Sequence, residues 1–135
     1  MAIAFIFFAL FACKPVVTDP NWNGGKIVEP GVYQLSDSSL TIHIFLENDF
    51  VRFEVDDEKG KTLIKYNYNI STYQNWAFYL DEQKAFWVFS SDIGHSVWRK
   101  MGNAYLEYSF NHIPTRAEVP ESVYQNCKEF FYGRE

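Results

Sequence analysis

Thr41-Ile-His-Ile-Phe-Leu-Glu-Asn-Asp-Phe-Val-Arg-Phe-Glu-Val-Asp56 decides the fold. Ile42, Ile44 and Leu46 alternate with Thr41, His43, Phe45 and Glu47. Val51, Phe53 and Val55 alternate with Phe50, Arg52, Glu54 and Asp56. A period of two places one set of side chains on a buried face and the other toward water, so both runs read as half-buried strands. Asn48-Asp49 between them tolerates the backbone of a tight hairpin turn.

The same pattern continues downstream. Lys61–Ile70 places Thr62, Ile64, Tyr66, Tyr68 and Ile70 on one face, after a turn at Glu58-Lys-Gly60. Trp76, Phe78 and Leu80 share a face of the next strand. In Ala85–Ser90 the residues Phe86, Trp87, Val88 and Phe89 are apolar on both faces, which predicts a central strand covered on both sides. Ser96–Lys100 and Ala104–Phe110 form a last pair through Met101-Gly-Asn103, where Gly102 supplies positive φ. The tail changes period. Val123, Cys127, Phe130 and Phe131 recur at helical spacing, predicting a helix over about 120–132 that covers a sheet face or a barrel mouth. Pro120 suits its first turn, and Thr115 with Glu118 offers a capping box one turn earlier. The expected fold is mainly β: a small antiparallel barrel or sandwich of seven to eight strands with one C-terminal helix.

The chain has 135 residues, a net charge of −5 and 19% aromatic residues. That length suits one compact domain and excludes a coiled coil or a polytopic membrane protein. The acidic balance argues against nucleic acid as a partner, because such binding needs a basic surface to displace counterions. The aromatic content exceeds what a small barrel buries, so Tyr33, Tyr73, Tyr79, Trp98 and Tyr105 are expected at the surface or along a cavity, unless both faces of a sheet are covered.

The N-terminus carries a second signal. No charged side chain precedes Lys14, and the first 13 residues are apolar. A helix of that length spans about 20 Å, too short for a hydrocarbon core of roughly 30 Å. It matches the apolar core of a secretory signal peptide. Its end, Leu10-Phe11-Ala12-Cys13, resembles the lipobox of bacterial lipoproteins. The resemblance implies that Cys13 receives a diacylglyceryl group, that residues 1–12 are removed, and that the new terminal amine is acylated as well. Two acyl chains hold a protein on a bilayer where one holds it only weakly. The implied location is the bacterial cell envelope, lipid-anchored, at the outer membrane on its periplasmic side or surface, since Lys14 stands where some enteric lipoproteins carry an Asp that retains them at the inner membrane. The expected organisation is therefore a signal peptide over 1–12, a lipid-anchored tether over 13–30 rich in Pro and Gly, and the β domain with its helix over 31–135. With Cys13 acylated, Cys127 stays an unpaired thiol in the helix; a Cys13–Cys127 disulfide is the alternative.

One loop concentrates polar groups between two tryptophans: Trp87, Ser90, Ser91, Asp92, His95 and Trp98. It reads as a binding surface, a polar cup walled by aromatics. Its plainer reading is turn chemistry, with Asp92 bonding the backbone ahead and Gly94 supplying positive φ. Serine, histidine and aspartate so close in one loop reach a catalytic alignment with difficulty, and there is no Gly-x-Ser-x-Gly elbow. His43, His95 and His112 are scattered and no His-Glu-x-x-His or Cys-x-x-Cys occurs, so neither a metal nor another cofactor is expected. The expected function is a lipid-anchored envelope protein acting as a non-catalytic binding module, toward a protein partner or as an inhibitor. The alternatives are a carrier of a small apolar ligand in a barrel cavity, and an enzyme using Asp92 and His95.

Overall fold

In the computed structural model, which describes residues 17–65 and 69–131, the opening hairpin forms as its alternation dictates. Strands β4 (Leu40–Glu47) and β5 (Phe50–Asp57) pair along their length, Ile42 opposite Val55 and Leu46 opposite Val51. Asn48 and Asp49 turn the chain at φ of 50° and 65°, the left-handed pair that a two-residue hairpin turn requires.

Around this hairpin the first sheet adds β1 (Val17–Trp22), β3 (Gly31–Leu35), β6 (Thr62–Lys65) and β7 (Ile70–Ser71), in the order β1-β3-β4-β5-β6 with β7 also on β5. The second sheet runs β11-β10-β9-β8-β2, from β2 (Gly25–Ile27), β8 (Trp76–Leu80), β9 (Phe86–Ser90), β10 (Gly94–Met101) and β11 (Ala104–Ser109). Ile42, Ile44, Val51, Phe53 and Val55 of the first sheet pack against Ile27, Phe78, Leu80, Phe86 and Val88 of the second. The rings of Phe53, Phe78 and Phe86 meet at centroid distances of 5.0 to 5.6 Å and fill the space between the sheets.

A second core lies on the other face of the second sheet. Ala77, Tyr79, Trp87, Phe89 and Val97 are covered there by Val119, Val123, Tyr124, Cys127, Phe130 and Phe131. Strand β9 is therefore buried at every position, as its two-faced apolar sequence predicts.

The architecture is a two-sheet sandwich with a C-terminal cover, and it corrects the sequence reading in four respects. Among the described residues the sheets end at β1 and β6, and at β11 and β2, so they do not close into a barrel. Eleven strands are present among the described residues, against seven to eight expected. Part of the excess lies in the stretch read as a tether. Val17–Trp22 pairs in parallel with β3, and Gly25–Ile27 pairs with β8, so long-range partners impose strand geometry that local sequence does not announce. The rest comes from Lys61–Ile70, which splits into β6 and β7; Tyr66 and Tyr68 lie outside the described residues. Finally, the C-terminal helix is shorter than read. α1 spans Glu121–Asn126, Cys127 leaves helical geometry at φ −123° and ψ 31°, and a 3-10 turn covers Lys128–Phe130. The capping box belongs to a separate 3-10 turn, Arg116–Glu118, where the Thr115 backbone N–H donates to the Glu118 carboxylate at 2.7 Å.

The aromatic surplus is resolved by the second core. Tyr33, Tyr79 and Tyr105 are buried and Trp98 is half-buried, while Tyr73 alone of that set stands out, 80% exposed.

Strand directions give the sandwich two distinct ends. At one, β1 begins, the Asn48-Asp49 turn closes β4 on β5, and Ser71–Asn75 crosses to the second sheet beside the Ser91–Ile93 turn. This is the entry end. At the far end lie the turns Ser36–Ser39, Glu58–Gly60, Glu82–Lys84 and Gly102-Asn103.

Candidate functional site

The Ser90–His95 segment is the hairpin joining β9 to β10, with Ser90 opposite Gly94 and Phe89 opposite His95. Gly94 takes φ +94°, a conformation costly for any residue with a Cβ. The Ser90 hydroxyl is buried; it donates to Asp92 Oδ1 and accepts the Asp92 and Ile93 backbone N–H groups at 3.4 Å. Asp92 Oδ2 accepts the Ser71 N–H at 3.0 Å, and the Ser91 N–H donates to the Asn75 carbonyl at 3.0 Å. These bonds tie the turn to the crossing between the sheets.

His95 sits against the rings of Phe89 and Phe130, at centroid distances of 5.4 and 5.8 Å. Its Nδ1 accepts the Ser90 backbone N–H at 3.3 Å, a role open only to an unprotonated nitrogen. Burial holds the imidazole below its ordinary pKa, in keeping with that neutral form.

Above this turn opens a cleft of about 520 Å³, lined by Ser90, Ser91, His95, Phe110, His112 and Phe130 among others. One wall is aromatic. Phe110 lies 6.1 Å from Trp87 and 5.9 Å from the His112 ring. The other wall carries Ser91, Asn75 and the turn backbone. His112 is held by Glu118 at 3.0 Å and Asn111 at 2.8 Å. The Glu118 carboxylate is kept below its ordinary pKa by the Thr115 N–H first and His112 second.

The two tryptophans do not join this site. Trp87 stands opposite Val97 in the ladder, and Trp98, one residue on, projects to the opposite face of the sheet. Trp87 is buried under the C-terminal segment, its Nε1–H donating to Asp81 at 2.9 Å. Trp98 packs against the core between the sheets, its Nε1 buried without a hydrogen-bond partner. Ser90, Ser91 and His95 thus line one cleft, Asp92 braces its floor, and the aromatic walls come from Phe110 and Phe130, which the sequence reading assigned to a strand end and a helix face. The signal for Phe110 is hairpin arithmetic: its N–H bonds the His95 carbonyl at 2.9 Å, so it sits beside His95.

Ser90, Asp92 and His95 are not arranged as a catalytic triad. The Ser90 hydroxyl donates to a carboxylate rather than to an imidazole, and His95 receives a backbone N–H where a triad needs an acid. Among the described residues no three His, Cys, Asp or Glu side chains converge as a metal site. A second cleft of about 460 Å³ lies at the far end and is lined by Lys59, Lys61, Lys84, Lys100, Asp57 and Tyr105 among others. Lys84 there bonds Asp37, whose carboxyl is lowered to about 2, mainly by Ser39 hydrogen bonds and then by Lys84. No protein-family model, curated protein or solved structure matches the chain.

Proposed function

We propose that the chain is a lipid-anchored protein of the bacterial cell envelope that works by non-catalytic binding, with the cleft beside Ser91 and His95 as its recognition site. The anchor rests on Leu10-Phe11-Ala12-Cys13, which lies outside the described residues. The binding role rests chiefly on one observation. In the turn below the cleft, the polar groups of Ser90, Asp92 and His95 bond one another and the backbone, and aromatic rings of Phe110 and Phe130 stand over them. Rigid polar groups beside apolar walls are the make-up of a binding site. A protein segment offering one apolar side chain and adjacent backbone groups fits this cleft.

The carrier reading needs an interior container. The rings of Phe53, Phe78 and Phe86 occupy the space between the sheets, which favours binding at the surface instead.

Photo-crosslinking in cells tests the site. With a photoreactive phenylalanine at Ser91 or Ile113, on the rim of the cleft, the full chain is expected to yield a discrete adduct on irradiation. The same group at Lys59, at the far end, is expected to yield none. Equal adducts at all three positions, or none at Ser91 and Ile113, would count against the cleft.

A further inference from the structure

The two ends of the sandwich differ in chemistry. Among the described residues eight large apolar side chains are exposed, and five belong to the entry end: Val28, Phe45, Leu46, Tyr73 and Ile93. Their placement follows from the ladders. Leu46 pairs with Val51 next to the Asn48-Asp49 turn, and the Thr72 N–H bonds the Asp49 carbonyl at 3.0 Å, bringing Tyr73 beside that turn. Ile93 tops the neighbouring turn that Asp92 ties to Ser71. Val28 follows Ile27, which pairs with Phe78, so it runs toward the Trp76 side of the second sheet, the same end. Leu46 is 55% exposed and Tyr73 80%. The far end is rimmed instead by Asp57, Glu58, Lys59, Lys61, Lys84 and Lys100.

The chain enters the fold at this apolar end. Val17 opens β1 opposite Val32, beside the Gly31–Ile44 pair. Cys13 lies four residues before Val17, and four residues reach at most roughly 14 Å. Because β1 runs from the entry end toward the far end, those four residues are enough to bring a lipid on Cys13 to the entry end.

We propose that the entry end is a docking surface for the lipid bilayer, with Leu46, Tyr73 and Ile93 as its contact residues. This rests on the reading that Cys13 is acylated. Glu29, Glu47 and Asp49 are exposed at the same end, so a zwitterionic membrane surface suits it better than an anionic one. The cleft beside Ser91 and His95 opens at the rim of this end, which places its partner close to the membrane.

The test uses the full chain extracted from membranes and reconstituted in phosphatidylcholine vesicles carrying a spin-labelled lipid. Leu46→Cys, Ile93→Cys and Met101→Cys each receive an environment-sensitive fluorophore. All three positions are exposed and Cys127 is buried, so labelling is selective when Cys13 is acylated; where intact mass finds Cys13 unmodified, quenching is read on the Cys13→Ser chain. The fluorophores at 46 and 93 are expected to be blue-shifted and quenched several-fold more strongly than the one at 101, at the far end. Intact mass of the same material reads the anchor separately. Acylated Cys13 with equal quenching at 46, 93 and 101 removes the docking surface and leaves the anchor. An unmodified Cys13 with strong quenching at 46 and 93 keeps the surface and removes the anchor. An unmodified Cys13 with no quenching removes both. As a second variant, Leu46→Ser with Tyr73→Ser is expected to weaken quenching at Ile93; unchanged quenching there would also overturn the contact.

Discussion

Asp81 shows how one side chain fixes a buried turn. Its carboxylate accepts the Trp87 indole N–H and the backbone N–H groups of Gln83 and Ala85, all at 2.9 Å. Asp81→Ala leaves buried donors unpaired, at a cost of about 1–3 kcal/mol for each group truly cut off from water. Urea unfolding is expected to show a loss of about 3 kcal/mol, with Asp81→Asn recovering part of it. His95 gives stability a pH dependence. In the unfolded chain its imidazole takes a proton near pH 6.5, whereas burial in the fold keeps it neutral to a lower pH. In that window the unfolded state binds more protons, so this contribution is present above pH 6.5 and is lost as pH falls through the lowered native value. His95→Gln is expected to flatten that part of the stability profile; an unchanged slope between pH 7 and 5 would contradict it. Burial pushes the Cys127 thiol up to about 12. A disulfide reagent at pH 8 is expected to leave it unmodified in the native protein and to react quickly once the protein is unfolded, and fast native labelling would show the second core to be open. At this scale the sequence exposed the turn chemistry of Asp92 and Gly94 but not the separation of Trp87 from Trp98. In a strand each step of one residue changes face, and an odd difference in register decides which groups meet.

Among the elements, those with strong local patterns were legible. The β4–β5 hairpin and the two-faced β9 follow directly from their alternation. β1 and β2 were hidden because nothing local marks them. β1 contains Pro20, tolerated on an edge strand, and its register against β3 shifts twice along its length. The inner face of the C-terminal segment was legible as well, since Val123, Cys127, Phe130 and Phe131 are all buried. Its helix length was not, because apolar spacing registers burial and is blind to the break at Cys127. Phe130 stacks on Phe89 at 5.3 Å and shields His95. Phe130→Ala is expected to cost about 3–5 kcal/mol, the range for large-to-small changes in cores. It should also raise the His95 pKa by admitting water, which an NMR titration of the imidazole would detect. A titration midpoint left where it was would mean that Phe130 does not supply the desolvation.

For the whole molecule, the cover on the second sheet turns a two-layer sandwich into three layers with two cores. This is where the aromatic residues go, and why few of the described ones reach the surface. The cleft was only half legible. Ser90, Ser91 and His95 were visible as a cluster in one turn, while Phe130 reaches it from the far end of the chain through the fold alone. The exposed apolar groups gather at the end where the chain comes in, four residues after Cys13. That proximity ties the molecule's polarity to the proposed anchor, on which the proposed location, orientation and partner all depend. Intact-mass analysis of the native protein extracted from membranes tests it most directly. The expected product is a chain that begins at Cys13 and carries the added mass of a diacylglyceryl group, with or without an amide-linked acyl chain. A chain that still begins at Met1, or a Cys13 with an unmodified thiol, would contradict it.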